Sequence, residues 1–173
     1  MSSRQNLFCP EKLSYVQGHR PRVDCILCSA YRNEPGVENL IVWQSELFFV
    51  TLNLYPYNPG HLMIVPVRHT CTIEDFTEAE ILSSFAIQRM AFAVLRQMYN
   101  PKGFNLGYNL GHCSGASIDH VHLHVVPRYQ RELGFMDVLN GSRIIVEDPI
   151  RTRERMAEAF LRESEESLHS LKE

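Results

Sequence analysis

The segment from His120 to Arg128 constrains the fold of this chain more than any other. Histidine and apolar residues alternate through it, in the order His-Val-His-Leu-His-Val-Val-Pro-Arg. Successive side chains of a β-strand point to opposite faces, so the three imidazoles share one face and the apolar residues share the other. Imidazoles bury poorly without hydrogen-bond partners and repel one another when charged. A solvated face is the plainer alternative, but only 8 histidines occur in the chain. The pattern therefore predicts a strand with a chemically active face.

The composition is that of a single globular domain of the ordinary kind. The chain has 173 residues, 45% of them hydrophobic and 21% charged, which is enough for a sizeable core. Its formal net charge of −3 disfavours duplex nucleic acid as a main partner. No apolar run approaches the roughly 20 residues of a membrane span, and the first residues lack the apolar core of a signal peptide. With five cysteines, an odd number, we expect a reducing, cytoplasmic setting.

The remaining patterns predict an α+β domain. Thr77 and Glu80 form a capping box, so a long helix is expected from residue 77 to residue 100, where Asn100-Pro101 ends it. An amphipathic helix with a fraying tail is expected from Pro149. Apolar segments predict strands at residues 40–43, 47–52, 61–66 and 104–110, and a hairpin at residues 136–146. The expected division is an arm at residues 1–24, the main domain at residues 25–148, and the C-terminal helix and tail at residues 149–173.

Two sets of residues are candidate metal ligands. Cys25 and Cys28 stand at a spacing that lets a tight loop hold one ion tetrahedrally. A pair of buried free thiols is the alternative. The three histidines of the alternating segment form the second set, since ligands two residues apart on a strand also hold zinc. The residues alone leave these alternatives open.

A small polar loop before the histidine segment suits phosphate binding. Gly115 and Ser117, with Asn109 ahead of them, offer backbone and side-chain donors to phosphate oxygens. An imidazole with a pKa near ~6.5 is largely unprotonated and nucleophilic at neutral pH. One histidine is thus able to attack phosphorus while a neighbour stabilises the developing charge. The pattern indicates phosphoryl or nucleotidyl transfer.

The histidine segment resembles the signature of the histidine triad superfamily of nucleotide hydrolases and transferases. The likeness covers about residues 25–128, and further pieces occur in the order typical of that family: Asn53, Pro59-Gly60-His61, Asn109 and Gly115-Ala116-Ser117. The ending Val126-Pro127-Arg128, with Gly134-Phe135-Met136 after it, resembles the Fhit-type and bacterial dinucleoside polyphosphate enzymes more than the Hint branch.

This resemblance implies a fold and an activity. The implied fold is α+β, with an antiparallel sheet of about five strands, one long packed helix, a C-terminal helix and a homodimeric assembly. The implied reaction is cleavage of a nucleoside phosphoanhydride, as in a dinucleoside polyphosphate, or of a phosphoramidate. Three other functions stay open: a nucleotide-binding regulator with little turnover, a phosphorylase that uses phosphate as acceptor, and a zinc-dependent module that docks a protein on its histidine face.

The resemblance also implies roles for individual residues. His122 would be the nucleophile that carries the nucleotidyl group, and His124 would donate to a non-bridging phosphate oxygen. Ser117, the Gly115 backbone and Asn109 would position the phosphates. Ala116, which stands where many members carry Gln, would also contact the nucleotide. Asn53 would contact the ribose, and the base would be walled by Leu47, Phe49 and His61 in the segments at residues 47–50 and 61–63.

A structural zinc ion and a purine base complete the expectations. Many bacterial members hold one zinc per chain through a ligand set that Cys25, Cys28, His69 and His120 match at every position. His120 would then hold metal while the other two histidines do chemistry. Aromatic residues near the expected base wall favour a purine nucleotide; they are Phe48, Phe49, Tyr55 and Tyr57.

Overall fold

The structure is a computed structural model that describes residues 21–130 and 147–169. The expected N-terminal arm lies almost wholly outside the described residues, as do the Gly134-Phe135-Met136 segment and the hairpin at residues 136–146. The strands are β1 (Ile41–Gln44), β2 (Phe48–Leu52), β3 (Leu62–Pro66), β4 (Gly103–Tyr108) and β5 (Leu123–Arg128). The helices are α1 (Ile26–Tyr31), α2 (Glu78–Tyr99) and α3 (Pro149–His169).

The strands form one antiparallel sheet in the order β1-β2-β3-β5-β4. The α+β prediction is therefore confirmed, with a five-stranded sheet and one long packed helix. β5 begins at Leu123, three residues later than the alternating pattern predicts. The reason is that the backbone N–H of Val121 donates to the Thr70 carbonyl at 2.8 Å, which draws the preceding chain away from β3. His120 and His122 thus precede the strand, and only His124 lies in it.

The two faces of the sheet carry separate cores. Phe48 and Val50 of β2 point toward α2 and α3, where Phe160 of α3 is fully buried. The C-terminal helix is thus part of the main core. Phe49, between Phe48 and Val50, points to the opposite face, which is covered by α1. This second, smaller cluster contains Cys25, Leu27, Phe49, Met63 and Val65. The histidines and the loop that precedes them lie on this α1 side of the sheet.

α1 is a short helix where the sequence predicts only a tight loop. The Sγ atom of Cys25 accepts a hydrogen bond from the backbone N–H of Cys28 at 3.4 Å, and this caps the first turn. A capping thiol at the N-terminus also directs both cysteine side chains toward the same point. The local helix therefore preserves the clustering that the spacing predicts.

The predicted capping box of α2 is present. Thr77 accepts from the Glu80 backbone N–H, and the Glu80 carboxylate accepts from the Thr77 backbone N–H. Glu80 is 2% exposed and also accepts two hydrogen bonds from Arg68, the shorter at 2.6 Å. The Arg68 hydrogen bonds are the largest cause that lowers the pKa of Glu80 to about 2, although burial opposes them. This pair ties the end of β3 to the start of α2.

The turn before β3 is held against both α2 and β5. Gly60 has a φ of +75°, and a Cβ there would lie 3.0 Å from Leu95 and from Tyr99, so this position needs glycine. The side-chain amide of Asn58 donates to the Pro127 carbonyl at 2.6 Å. The turn fixes the position of His61, which follows Gly60 directly.

Within residues 21–130 and 147–169, no helix has both the length and the apolar character that crossing a membrane requires.

We expect Glu80→Gln to destabilise the protein at neutral pH by about 1–2 kcal/mol, because Arg68 loses its anionic partner while the shape of the cap is kept. The folded-state pKa of Glu80 lies below its ordinary value of 4.5, so the charge stabilises the fold above about pH 4.5. The difference between the two proteins should shrink as the pH falls from 4.5 toward 2. Urea unfolding at several pH values measures it. Glu78→Gln, on the exposed side of the same turn, is the control, and an equal loss in both variants would contradict the assignment.

Candidate active site and metal centre

Four potential metal ligands converge between α1 and the histidine segment. The ligand atoms of Cys25, Cys28, His69 and His120 all lie within 4.8 Å of one another. The Nδ1 atom of His120 is 3.4 Å from each of the two sulfur atoms, and the Nδ1 atom of His69 is 3.4 Å from the Cys28 sulfur. Usual zinc bond lengths in a tetrahedron give sulfur–nitrogen separations of about 3.6 Å. The donor set and its spacing therefore fit a zinc ion.

The surroundings of His120 prepare it as a ligand. Its Nε2 atom lies 3.0 Å from the Pro66 carbonyl, which only accepts, so Nε2 carries the proton and Nδ1 presents its lone pair to the sulfur atoms. Burial, followed by the nearby His69, lowers the pKa of His120 to about 4. The ring is thus neutral at physiological pH, as metal ligation requires.

The Cys28 thiol lies in an environment that disfavours its ionisation without a cation. Burial, and then the hydrogen bond and charge of Cys25, raise the pKa of the Cys28 thiol to about 11. Two adjacent thiolates are stable only when a positive ion lies between them, and metal binding then releases their protons. This pattern is the opposite of a reactive, low-pKa cysteine.

The geometry argues against two alternative functions of the histidine segment, a metal site made of all three histidines and a surface that docks a protein. The three imidazoles do not converge on one ion, because the four-ligand cluster takes His120 alone, while His122 and His124 face a separate cavity. Protein docking on this face is also disfavoured, since His120 is 1% exposed and His122 is 6% exposed.

His122 and His124 line a cavity of about 330 Å³. This cavity opens between α1, the ends of β2 and β3, and the loop before the histidine segment. Its apolar wall is formed by Ile26, Leu27, Ala30, Leu40, Leu52, Leu54, Met63 and Ile118. The polar groups around it are Glu38, Thr51, Asn53, Tyr55, Tyr57, Asn109, Gly115, Ser117, His122 and His124.

The tautomer of His122 leaves a lone pair for nucleophilic attack. Its Nδ1 atom lies 2.7 Å from the backbone carbonyl of His120, so Nδ1–H donates and Nε2 is unprotonated. Burial lowers the pKa of His122 despite this hydrogen bond, which keeps the ring neutral at neutral pH. His122 is thus a neutral imidazole that carries its proton on Nδ1 and leaves Nε2 unprotonated.

His124 lies directly beside His122. The two ring centroids are 4.7 Å apart, with the rings inclined at 74°. The Nε2 atom of His124 is 3.4 Å from the side-chain amide of Asn109, and its Nδ1 atom is 3.0 Å from Nε2 of His61. The arrangement places one imidazole for attack and one for contact with a phosphate oxygen.

The structure brings most of the predicted site residues together. Asn109, Gly115 and Ser117 line the cavity beside the two histidines, and Asn53 lines it farther along β2. The Asn53 side chain accepts from the Tyr55 backbone N–H at 2.8 Å, which holds the loop at the mouth of the cavity.

Four residues predicted to contact the nucleotide lie outside the cavity lining. Phe49 faces the same side of the sheet as Thr51, but Tyr31 stacks on it at 5.1 Å and covers it. The other three are Leu47, which packs against the helix-side core, His61, which lies buried behind His124, and Ala116. The base-wall assignment of Leu47, Phe49 and His61 is therefore corrected.

The expected aromatic wall is only half present. Phe48 points into the helix-side core against Phe76, so it is also removed from the wall, whereas Tyr55 and Tyr57 do line the cavity. Sequence reasoning missed the apolar wall from α1 and the segment before β1, because those residues meet only in the fold. The position of Thr51 in the cavity lining could have been predicted from the sequence, since Thr51 shares a strand face with Asn53.

Comparisons with known proteins agree with this geometry. The HIT domain family matches residues 34–131, which is more than half of the chain. AP-4-A phosphorylase of Mycobacterium tuberculosis is 40% identical over 127 residues, covering 73% of this chain and 65% of that protein. The match thus spans slightly less than two thirds of that relative. Bis(5'-adenosyl)-triphosphatase of Dictyostelium discoideum is 28% identical, covering 73% of this chain and 85% of that protein.

Solved structures show the same architecture. A HIT family protein from Bacillus anthracis superposes with a TM-score of 0.58 and 27% identity, over 62% of this chain and 74% of that one. A Zn-bound histidine triad family protein from Mycobacterium smegmatis gives a TM-score of 0.63 at 23% identity, over 80% of this chain and 94% of that one, a likeness of fold alone. With the family match over residues 34–131, these findings show that the chain belongs to the HIT domain family.

Proposed function

We propose that the protein is an enzyme that cleaves dinucleoside polyphosphates through a nucleotidyl group carried on His122. The observation that carries this proposal is the tautomer of His122, whose Nδ1–H is held by the His120 carbonyl so that an unprotonated Nε2 is left beside His124 at the cavity. The names of the two relatives, a phosphorylase and a triphosphatase of dinucleoside polyphosphates, support the same substrate class.

The proposed chemistry has two steps. Nε2 of His122 forms a bond to the α-phosphorus as the bond from phosphorus to the bridging oxygen breaks, and the leaving polyphosphate departs with that electron pair. Water or inorganic phosphate then accepts the nucleotidyl group and releases His122. Ser117 and the Gly115 backbone hold phosphate oxygens, Asn109 positions them, and His124 donates to a non-bridging oxygen.

The proposed nucleotide lies in the cavity with its base against the apolar part of the lining. Leu27, Leu40, Leu52 and Met63 form the wall there, and Asn53, at the end of β2, would meet the ribose between base and phosphates. Tyr57 is 52% exposed and lines the same cavity, where it offers a surface on which a base stacks. A purine buries more apolar area than a pyrimidine at such a site, so we propose a purine preference.

We propose that the four-ligand cluster holds one structural zinc ion. A site with four protein ligands is closed and takes no part in catalysis. The metal would join α1 to the histidine segment and so fix one wall of the cavity relative to His122. Zinc thiolates persist in a reducing environment, which is consistent with a cytoplasmic location.

A homodimer is proposed from an exposed apolar surface, which we call the α2–β4 surface. Leu82 and Phe85 of α2 are 71% and 62% exposed, and Ile81 on the same side of the helix is 45% exposed. Within the described part of the chain, β4 is an edge strand that pairs only with β5. An unpaired strand edge and an exposed apolar helix face each suit contact with a second copy of the chain, which would continue the sheet along β4.

His122→Asn should abolish turnover, by several orders of magnitude, while nucleotide affinity stays near that of the wild type, because the covalent nucleophile is lost and the cavity keeps its shape. The assay panel comprises dinucleoside polyphosphates with adenine, guanine or uracil bases and a nucleoside phosphoramidate, each with and without inorganic phosphate. Higher turnover with the purine compounds is expected. Correctly folded His122→Asn with near wild-type rates would overturn the mechanism, and no turnover by the wild type would favour a regulator.

Cys25→Ser should reduce bound zinc from about one ion per chain and lower the melting temperature, since ligation contributes directly to folding. Elemental analysis of gently purified protein and thermal unfolding measure these effects. Cys113→Ser is the matched control, because Cys113 is exposed and lies outside the ligand cluster. Wild-type protein that contains no zinc, or that melts unchanged after chelation, would contradict the metal assignment.

The double substitution Leu82→Glu and Phe85→Glu should convert the proposed dimer to a monomer, because it places charges on the buried part of the α2–β4 surface. Light scattering coupled to size exclusion gives the mass. Ile150→Glu is the control, since Ile150 is also half-exposed (52%) but lies on α3. A wild-type protein that is monomeric at micromolar concentration would contradict the proposed interface.

A further inference from the structure

We infer that His61 is a positioning residue that holds His124 as a neutral hydrogen-bond donor. The inference rests on the proposed function of the cavity, because it assigns how one of its two reactive histidines is controlled. His61 is itself fully buried and lies outside the cavity lining. It acts through His124 rather than through contact with the substrate.

The tautomer of His61 follows from its backbone neighbour. The Nδ1 atom of His61 lies 3.1 Å from the backbone N–H of Tyr57, and a backbone N–H only donates. Nδ1 is therefore an unprotonated acceptor, and the proton of the neutral ring is on Nε2. A proton on Nδ1 would face the Tyr57 N–H directly, so this contact favours the tautomer with its proton on Nε2.

The tautomer of His124 follows from that of His61. Nε2–H of His61 lies 3.0 Å from Nδ1 of His124, so Nδ1 of His124 accepts and its proton is on Nε2. Nε2 is the atom that lies 3.4 Å from the Asn109 amide, and Asn109 lines the cavity together with His124. With Nε2 protonated, the Asn109 side-chain amide must turn its oxygen toward His124. This orientation differs from the one with nitrogen facing His124 only by a 180° rotation of the amide group, which leaves its shape unchanged.

The fold holds this chain of donors rigidly. Tyr57 stacks on His61 with ring centroids 5.0 Å apart and an angle of 19°, which closes one face of the buried ring. The backbone N–H of His61 donates to the Asn58 carbonyl at 3.1 Å, and its carbonyl accepts from the Asn53 N–H at 3.0 Å. The His61 ring is thereby fixed against His124.

The consequence is that His124 stabilises charge without giving up its proton. Loss of the Nε2 proton would leave the His124 ring anionic, because its Nδ1 carries no proton and only accepts from His61. His61 has no second proton to pass on, since its own Nδ1 accepts from the Tyr57 backbone N–H, which does not give up its proton. His124 therefore keeps its proton while the bond between His122 and phosphorus forms and the bridging oxygen departs with its electron pair. This role suits a leaving polyphosphate, which is stable as an anion.

Two substitutions at His61 separate the donor from the acceptor. In His61→Asn the side-chain oxygen replaces Nδ1 and still accepts from Tyr57, but the shorter side chain does not reach Nδ1 of His124. In His61→Gln the amide nitrogen replaces Nε2 and donates to His124. We expect His61→Asn to lower kcat at least tenfold with KM within about twofold, short of the 10²–10³-fold cost of losing a donor outright. His61→Gln should recover most of that loss.

Two measurements test whether His61 acts through His124. Nitrogen-15 NMR of the zinc-loaded wild type, without substrate, should show His124 protonated at Nε2 and not at Nδ1, and His61→Asn should weaken this preference. In the double variant with His124→Ala, the His61→Asn loss should disappear rather than multiply. His124 protonated at Nδ1 in the wild type, equal losses in the Asn and Gln variants, or multiplying losses would overturn the inference. If no dinucleoside polyphosphate is turned over, the proposed function fails, but the NMR signature still decides the tautomer.

Discussion

Two backbone carbonyls determine what two neighbouring histidines do. The Pro66 carbonyl accepts from Nε2 of His120 at 3.0 Å, which directs Nδ1 toward the cysteines. The His120 carbonyl accepts from Nδ1 of His122 at 2.7 Å, which leaves Nε2 as the free lone pair. Opposite nitrogens are thus protonated in two rings only two residues apart. Because a carbonyl cannot donate, each tautomer is set by geometry, and the proposed roles of His120 at the metal and His122 at the phosphate depend on it.

The metal cluster and the cavity share a wall, so stability and activity are linked. Cys25 caps α1 and also reaches His120, while the next helical residues, Ile26 and Leu27, line the cavity. A cation at the cluster would relieve the unfavourable proximity of the two thiols, which is reflected in the raised pKa of Cys28. The free energy of metal binding would then hold α1 in the position that forms one wall of the cavity.

The rest of the fold keeps the reactive segment in place. β5 lies between β3 and β4, so the strand that carries His124 is hydrogen-bonded along both edges. Gly60 allows the turn before β3 to pack against Leu95 and Tyr99, where any Cβ would clash. This turn delivers His61 to the back of His124. The buried Glu80, with Arg68, ties the far end of β3 to α2.

The sequence by itself determined the local patterns and the chemistry they carry. The alternation from His120 to Arg128 predicted the strand that the structure forms from Leu123 to Arg128, and the capping box at Thr77 and Glu80 placed the start of α2 correctly. Cysteine spacing and the family resemblance together assembled the four-ligand set that the structure brings within 4.8 Å. These features depend on residues that are neighbours in the chain or on a motif, and both can be recognised in the amino-acid sequence.

Only the tertiary structure decided which ring nitrogen faces which group and what walls the cavity. β5 starts at Leu123 because Thr70, distant in sequence, takes the N–H of Val121, and no local pattern contains that contact. Phe49 has the strand parity expected for a base wall, yet Tyr31 covers it. His61 was expected beside the base and lies instead behind His124. Alternation along a strand assigns a face to a residue, but what packs on that face depends on segments that meet only when the chain folds.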